Sequence, residues 1–280
     1  MNLPKVLFLD MDGTILRSDH SLTPRTIKAV KSISKAGCIV CLATGRSWES
    51  VKPIYDILKL SGPTICYNGA MVIDGPEGNC IFESKMNETA ARFVIAEART
   101  SGCEMIAYRH RELIFEKRGP EIEAYGVRTK LPGTIVDFDS LRTLEFTKAI
   151  VLSDQSKLMR LKLLLENHFS DELLSITFSN LRFLEVMAGR IDKGRGLVGV
   201  CKILDIARET TVSIGDDWND LAMLEATGDA WIMGGAPLEL MAKFPPSRVA
   251  LSANQDGAAR VMEAMLDKAA RGREALKKNE

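Results

Sequence analysis

The sequence has no excess of charge of either sign. Its 280 residues include 37 Lys and Arg and 37 Asp and Glu, so the formal net charge at pH 7 is zero. Chains that bind nucleic acids usually carry a basic surface, and this balance argues against that class of protein. We therefore expect no nucleic-acid partner.

Long apolar runs and cysteines are also scarce. Apolar stretches such as residues 38–43 are far shorter than the roughly 20 residues that cross a bilayer. Because the first residues lack the long apolar region of a secretory signal, we expect none in this sequence. The six cysteines lie mostly within apolar runs, which favours buried thiols in a reducing compartment. We expect a cytoplasmic protein without a membrane partner, and the sequence leaves both a monomer and a homodimer open.

Apolar periodicity, in contrast, is clear. The first 70 residues and those after 190 alternate short apolar runs, the last of them at 249–251, with helical patterns, which is typical of a parallel α/β sheet. Between them lie paired alternating runs and two helical patterns, which indicate a mostly antiparallel α+β insertion. The prediction is a doubly wound, mostly parallel Rossmann-like core of residues 1–83 and 188–280, with residues 84–187 inserted as a second domain.

Four polar segments follow the predicted core strands or open a core helix. They are Asp10 to Thr14, Thr44 to Arg46, Asp192 to Gly194, and Gly215 to Asp220. Ligands of open α/β sheets bind beyond the carboxyl ends of the strands, so these segments are expected to meet. The sequence therefore predicts one polar site at this edge of the core.

Acidic residues dominate that predicted site. Asp10, Asp12 and Asp216 would repel one another unless a cation neutralised them, and hard oxygen ligands suit Mg2+. With Lys193 and Thr44 added, the site could hold a phosphoryl group, and a carboxylate could attack phosphorus to form an aspartyl-phosphate. Asp12, two residues after Asp10, is placed to protonate the leaving oxygen and later to accept a proton from water.

Taken in order, these segments resemble the four motifs of the haloacid dehalogenase-like (HAD) phosphohydrolases. The insertion between the second and third motifs, and Asn68 with Gly69 after the third strand, resemble the Cof-type subfamily with an α/β (C2B-type) cap. For the architecture, the resemblance covers essentially all 280 residues. One departure is Gly235, where many relatives have Asn.

The resemblance implies a role for each motif residue. Asp10 would be the nucleophile and Asp12 the general acid/base. Mg2+ would be held by the Asp10 side chain, the Asp12 backbone carbonyl and Asp216. The residues expected around the phosphate are Thr44, Gly45, Lys193 and Asn219. Asp217 and Asp220 would support the metal and the lysine.

We therefore predict a Mg2+-dependent phosphatase that hydrolyses phosphomonoesters of small metabolites, with sugar phosphates as the expected substrates. The inserted domain would set specificity. One alternative is a sugar phosphomutase, in which a substrate hydroxyl replaces water at the same site. Another is a non-catalytic regulatory protein that binds a phosphorylated metabolite.

Several other patterns have simpler interpretations. Gly194, Gly196 and Gly199 match a dinucleotide-binding motif, but they lie too far from the preceding strand to form its turn. Cys38 and Cys41 are expected in the core. For Arg46, a substrate contact and a surface ion pair are equally open. Four residues at strand ends of the insertion fit either a substrate contact or a hairpin turn: Arg109, His110, Asn180 and Arg182.

Overall fold

The computed structural model of the chain describes residues 3–129 and 131–277. In chain order, its strands are β1 (Val6–Leu9), β2 (Ile39–Ala43), β3 (Thr64–Cys66), β4 (Met71–Asp74), β5 (Asn79–Glu83), β6 (Glu104–Arg109), β7 (Glu112–Phe115), β8 (Thr134–Ile135), β9 (Phe146–Leu152), β10 (Leu174–Asn180), β11 (Phe183–Ala188), β12 (Thr211–Gly215) and β13 (Asp229–Ile232). Its helices are α1 (Pro24–Lys35), α2 (Trp48–Leu58), α3 (Glu88–Thr100), α4 (Pro120–Thr129), α5 (Gln155–His168), α6 (Lys193–Ile203), α7 (Leu221–Ala226), α8 (Leu238–Met241) and α9 (Gly257–Lys277). Among these helices, none combines the length and the apolar character that a membrane span requires.

The chain divides into two compact units. The first comprises Met1–Gly45, Lys52–Ile81 and Asp192–Glu280, of which residues 1, 2 and 278–280 lie outside the described part. The second comprises Arg46–Val51 and Phe82–Ile191.

These bounds differ by a few residues from the predicted limits of the insertion. The second unit continues to Ile191, and within this extension the backbone N–H of Gly189 donates to the carbonyl of Leu173 at 2.9 Å. The short segment from Arg46 to Val51 joins the same unit, and its Glu49 carboxylate pairs with Arg111 at 2.5 Å. Ion pairs of this kind depend on tertiary contacts that a local sequence pattern does not show.

A seven-stranded sheet forms the centre of the first unit, in the order β13-β12-β1-β2-β3-β4-β5 among the described residues. The five strands from β13 to β3 are parallel, and β4 runs antiparallel to β3. One face packs on α6 and α7, where Phe8 and Ile65 contact Leu197 and Met223. The predicted mostly parallel α/β core is confirmed.

Local sequence signals fix the ends of the elements of this unit. Helix α1 begins at Pro24 because the Thr23 hydroxyl accepts a hydrogen bond from the backbone N–H of Thr26 at 3.1 Å. The strand predicted at 249–251 is wrong. Only a single bridge joins Val249 to Ile232, because 3-10 turns on both sides leave too few extended residues for a ladder.

The second unit is built on a six-stranded sheet in the order β10-β11-β9-β6-β7-β8 within the described ranges. Its pairings are antiparallel except that β7 and β8 are parallel. Helices α3 and α5 pack on one face, where Val94 and Leu161 join Ala149 and Val151 in the core. The predicted α+β character is confirmed.

The four residues left open at strand ends of this unit contact other residues of the same unit. Asn180 accepts a hydrogen bond from the backbone N–H of Arg182 at 2.8 Å, and the Arg182 guanidinium pairs with Glu121. Arg109 pairs with Glu112 across its own hairpin at 3.0 Å. His110 contacts Glu83 at 2.9 Å. These contacts are those of hairpin and surface residues.

Candidate active site

The carboxyl ends of the central strands bring the predicted acidic residues together in the first unit. Asp10 follows β1 directly, and Asp216 follows the parallel neighbour β12. Carboxylate oxygens of Asp10, Asp216 and Asp220 all lie within 4.8 Å of one another. Asp10 and Asp216 therefore share one small region, as their positions after adjacent parallel strands predict.

This clustering is unfavourable for the ionised carboxylates. Burial and the nearby Asp220 carboxylate raise the pKa of Asp10, although Lys193 offsets part of the effect. Burial, followed by the charges of Asp10 and Asp220, raises the pKa of Asp216 further. The cluster therefore favours either a bound proton or a bound cation.

Lys193 is the cation that the chain itself supplies. It opens helix α6, its side chain is 1% exposed, and its Nζ donates to Oδ1 of Asp10 and to Oδ1 of Asp220, at 2.6 Å in each case. Burial alone would lower the pKa of Lys193, but the two carboxylates outweigh it and raise that pKa above its ordinary value. The lysine therefore remains charged beside Asp10.

Asp220 contacts both this lysine and the turn that follows β12. Its Oδ2 atom accepts hydrogen bonds from the backbone N–H groups of Asp216 at 2.9 Å and Asp217 at 3.1 Å. Position 215 must be glycine for this approach, because a Cβ there would lie 2.6 Å from the Asp220 side chain. Asp217 caps the following turn through the N–H of Trp218. With both oxygens engaged, Asp220 supports Lys193 and the turn.

The segment after Asp10 holds the Asp216 side chain. The Thr14 hydroxyl donates to Oδ1 of Asp216 at 3.3 Å. Gly13 has a φ of +78°, and a Cβ there would lie 2.0 Å from Oδ2 of Asp216, so a larger residue would displace the carboxylate. The sequence motif includes Thr14, but its contact with Asp216 was not predicted.

Asp12 follows Asp10 by two residues, but its side chain contacts His20. One carboxylate oxygen of Asp12 lies 3.1 Å from Nδ1 of His20, and 42% of the Asp12 side chain is exposed. This exposure leaves the Asp12 carboxyl accessible to solvent.

The predicted phosphate-binding residues lie at the ends of β2, α6 and β12. Thr44 is buried directly after β2, with Gly45 next to it, and Asn219 is exposed in the turn after β12. Nδ2 of Asn219 donates to Oδ1 of Asn68 at 3.1 Å. Asn68 was not predicted as a site residue, although the Asn-Gly turn after β3 was visible in the sequence.

The weaker sequence patterns have structural roles. Gly194 and Gly196 lie inside α6, where a Cβ would come within 2.4 Å of the Ala222 carbonyl and 2.7 Å of the Ile65 side chain. Close helix packing therefore explains these glycines. Cys38 and Cys41 are buried, and burial raises the pKa of both thiols.

The chemistry of the donor set fits a hard divalent cation. Buried carboxylate oxygens from two strand ends, with raised pKa values, offer the oxygen ligands and negative charge that Mg2+ prefers. Lys193 lies 2.6 Å from Asp10, and its single positive charge neutralises only part of the negative charge of the acidic cluster. This arrangement can bind a cation together with an anionic group.

Comparisons of the sequence relate this chain to known hydrolases. A family model for haloacid dehalogenase-like hydrolases matches residues 7–262. An HMP-PP phosphatase from Yersinia pseudotuberculosis (serotype O:1b) is 27% identical over 250 residues, which are 89% of this chain and 91% of that protein.

Solved structures show the same fold. The structure of a haloacid dehalogenase-like hydrolase from Bacteroides thetaiotaomicron superposes with a TM-score of 0.85 at 24% identity, covering 94% of this chain and 99% of that one. A sugar phosphatase of HAD subclass IIB superposes with a TM-score of 0.79 at 20% identity, covering 93% of this chain and 98% of the other.

Proposed function

The chain belongs to the haloacid dehalogenase-like hydrolase family, and from this premise we propose that it is a Mg2+-dependent phosphatase acting on phosphomonoesters of small metabolites, with sugar phosphates the first class to test. The observation that carries the proposal is the buried contact of Lys193 with Asp10 and Asp220, next to Asp216. In this cluster Asp10, the proposed nucleophile, lies next to the positive charge of Lys193, which would attract a phosphoryl group.

The reaction has two balanced steps. A carboxylate oxygen of Asp10 attacks phosphorus, and the bond from phosphorus to the leaving oxygen breaks as the Asp12 carboxyl donates its proton to that oxygen. A water molecule then attacks the aspartyl-phosphate, Asp12 accepts its proton, and the Asp10 carboxylate leaves as inorganic phosphate forms. Lys193 remains charged throughout and stabilises the phosphoryl oxygens.

Asp10 and Asp216, with the Asp12 backbone carbonyl, would hold Mg2+. When bound, the ion supplies positive charge that reduces the repulsion between the Asp10 carboxylate and the substrate phosphate. Thr44, Gly45 and Asn219 would surround the phosphate with hydrogen-bond donors. Asp220 orients the lysine through the contact at 2.6 Å.

The relatives support a compact phosphorylated substrate. Matching proteins include HMP-PP phosphatases over 89% of this chain, and the fold is shared with a sugar phosphatase. Both names describe enzymes that remove phosphate from small metabolites. We propose that the inserted second unit determines which of these substrates the protein accepts.

Phosphate release tests the proposed function directly. We expect the protein to release inorganic phosphate from p-nitrophenyl phosphate and from a subset of sugar phosphates in Mg2+, and to lose this activity in EDTA. A hexose 1-phosphate with its bisphosphate activator separates a phosphatase, which releases phosphate, from a phosphomutase, which yields an isomer. Binding of phosphorylated metabolites without any turnover would instead indicate the regulatory alternative.

Mg2+ is also expected to stabilise the fold more at pH 8 than at pH 5. Without a cation, the pKa of Asp10 rises to about 7 and that of Asp216 to about 9, from 3.8. The folded state therefore binds more protons than the unfolded one above pH 3.8, so the stability of the metal-free protein falls as pH rises to about 9. Mg2+ must displace the protons that these carboxyls hold, and this displacement costs less free energy at pH 8 than at pH 5.

Thermal unfolding at both pH values, in EDTA and in Mg2+, measures the effect. The matched control is Asp216→Asn, in which the pH dependence of the Mg2+-induced shift in Tm should be much smaller. An equal shift at pH 5 and pH 8 in the unmodified protein would contradict this prediction.

A further inference from the structure

The turn after β3 has an unusual backbone. Tyr67, Asn68 and Gly69 all have left-handed conformations, with φ values of 48°, 52° and 106°. Such conformations cost non-glycine residues free energy and are maintained where surrounding contacts enforce them, often at functional sites. Asn is among the side chains that tolerate this region best.

Contacts with the proposed phosphate-binding segments hold the turn in place. The backbone N–H of Asn68 donates to the carbonyl of Thr44 at 2.9 Å. A Cβ on Gly69 would lie 2.2 Å from the carbonyl oxygen of Asp192, the residue that caps the helix beginning at Lys193. The turn is thus packed between the end of β2 and the start of α6.

The carboxamide of Asn68 contacts two further members of the same group. Its Oδ1 atom accepts from Nδ2 of Asn219 at 3.1 Å, and both of its amide atoms would lie 3.1 Å from a Cβ on Gly45. The hydrogen bond joins residues 151 positions apart in the chain. Asn68 therefore touches Thr44, Gly45 and Asn219 at once.

We infer that Asn68 is a positioning residue for phosphoryl binding, which it serves by fixing the carboxamide of Asn219. Asn219 is exposed in its turn, so an unrestrained carboxamide would sample several orientations. Because Asn68 engages one Nδ2 hydrogen of Asn219, the second hydrogen keeps a fixed direction and can be donated to a phosphoryl oxygen. The inference rests on the proposed function, in which Asn219 contacts the phosphate.

Asn68→Gly is the sharpest test, because glycine retains the left-handed backbone and removes only the carboxamide. We expect the inhibition constant of inorganic phosphate and the KM for p-nitrophenyl phosphate to rise about tenfold, while kcat changes less. In an Asn219→Ala background, the same replacement should change both constants by less than about twofold, because the partner is already missing.

Asp205→Gly is the matched control. Asp205 also has a left-handed conformation, with a φ of 53°, and it lies after α6, before the strand whose opposite end carries Asp216. We expect this variant to leave both constants unchanged. Thermal unfolding of each variant measures any loss of folded protein separately.

The outcomes separate this inference from the proposed function. If the unmodified protein releases no phosphate in Mg2+, the proposed function fails. If that protein is active and Asn68→Gly binds phosphate equally well, only the positioning role is wrong. An equal loss in the presence and absence of the Asn219 side chain would also overturn it, because Asn68 would then not act through Asn219.

Discussion

Replacing Asp10 by Asn is expected to abolish phosphate release, lowering kcat by on the order of 10⁴-fold or more. The amide has nearly the same size as the carboxyl group, but it lacks the anionic oxygen that attacks phosphorus. No covalent bond between the side chain and phosphorus then forms. Steady-state hydrolysis of p-nitrophenyl phosphate in saturating Mg2+ measures the loss.

The same substitution should not destabilise the metal-free protein. Burial and Asp220 raise the pKa of Asp10 to about 7, above its ordinary 3.8, so the folded state disfavours its charged form. At pH 8, a neutral amide removes this penalty. We therefore expect the Tm of Asp10→Asn in EDTA to equal or exceed that of the unmodified protein, which separates loss of chemistry from loss of fold.

Two further variants complete this experiment. Asp19→Asn makes the same chemical change at an exposed carboxylate that accepts a hydrogen bond from the N–H of Ser21, and it should retain full activity. Asp10→Ala cannot regenerate aspartate by deamidation, so it shows whether residual activity comes from that source. Hydrolysis retained by Asp10→Ala would remove Asp10 from the role of nucleophile.

Much of the fold and the placement of the acidic cluster could be predicted from sequence because both depend on local patterns. Apolar runs separated by helical spacing indicated parallel strands, and polar residues directly after these runs must then lie at one edge of the sheet. Asp10 and Asp216 follow β1 and β12, which are hydrogen-bonded neighbours. Their proximity therefore follows from strand order and direction.

Other features depend on contacts between distant segments, and no local pattern specifies them. The bond from Asn219 to Asn68 requires β3 and β12 to be placed correctly on either side of β1 and β2. Residues 46–51 belong to the second unit, and within it Glu49 forms an ion pair with Arg111. Such pairs form only in the assembled fold. The sequence alone therefore indicated the turn at Asn68 but not its contact with Asn219.

Replacing Lys193 by Met is expected to have the second large effect, on both catalysis and stability. Lys193 is 1% exposed and contacts Asp10 and Asp220 at 2.6 Å, so methionine leaves two buried carboxylates without their cation. Removing one partner of a buried ion pair typically costs about 3–5 kcal/mol of folding free energy. The loss of a preorganised charge beside the phosphoryl group should lower kcat by about 10³-fold.

The pH dependence of the lost stability distinguishes charge from packing. Without the lysine, which lowers the pKa of Asp10 and of Asp216, both values rise further, so these two groups protonate more readily as pH falls. The destabilisation of Lys193→Met in EDTA should therefore be largest near pH 8 and smaller near pH 5, as measured by urea unfolding. Lys202→Met, the same change at an exposed position of the same helix, should alter neither stability nor kcat. A pH-independent loss would show that packing of the lysine stem, and not its charge between Asp10 and Asp220, stabilises this part of the fold.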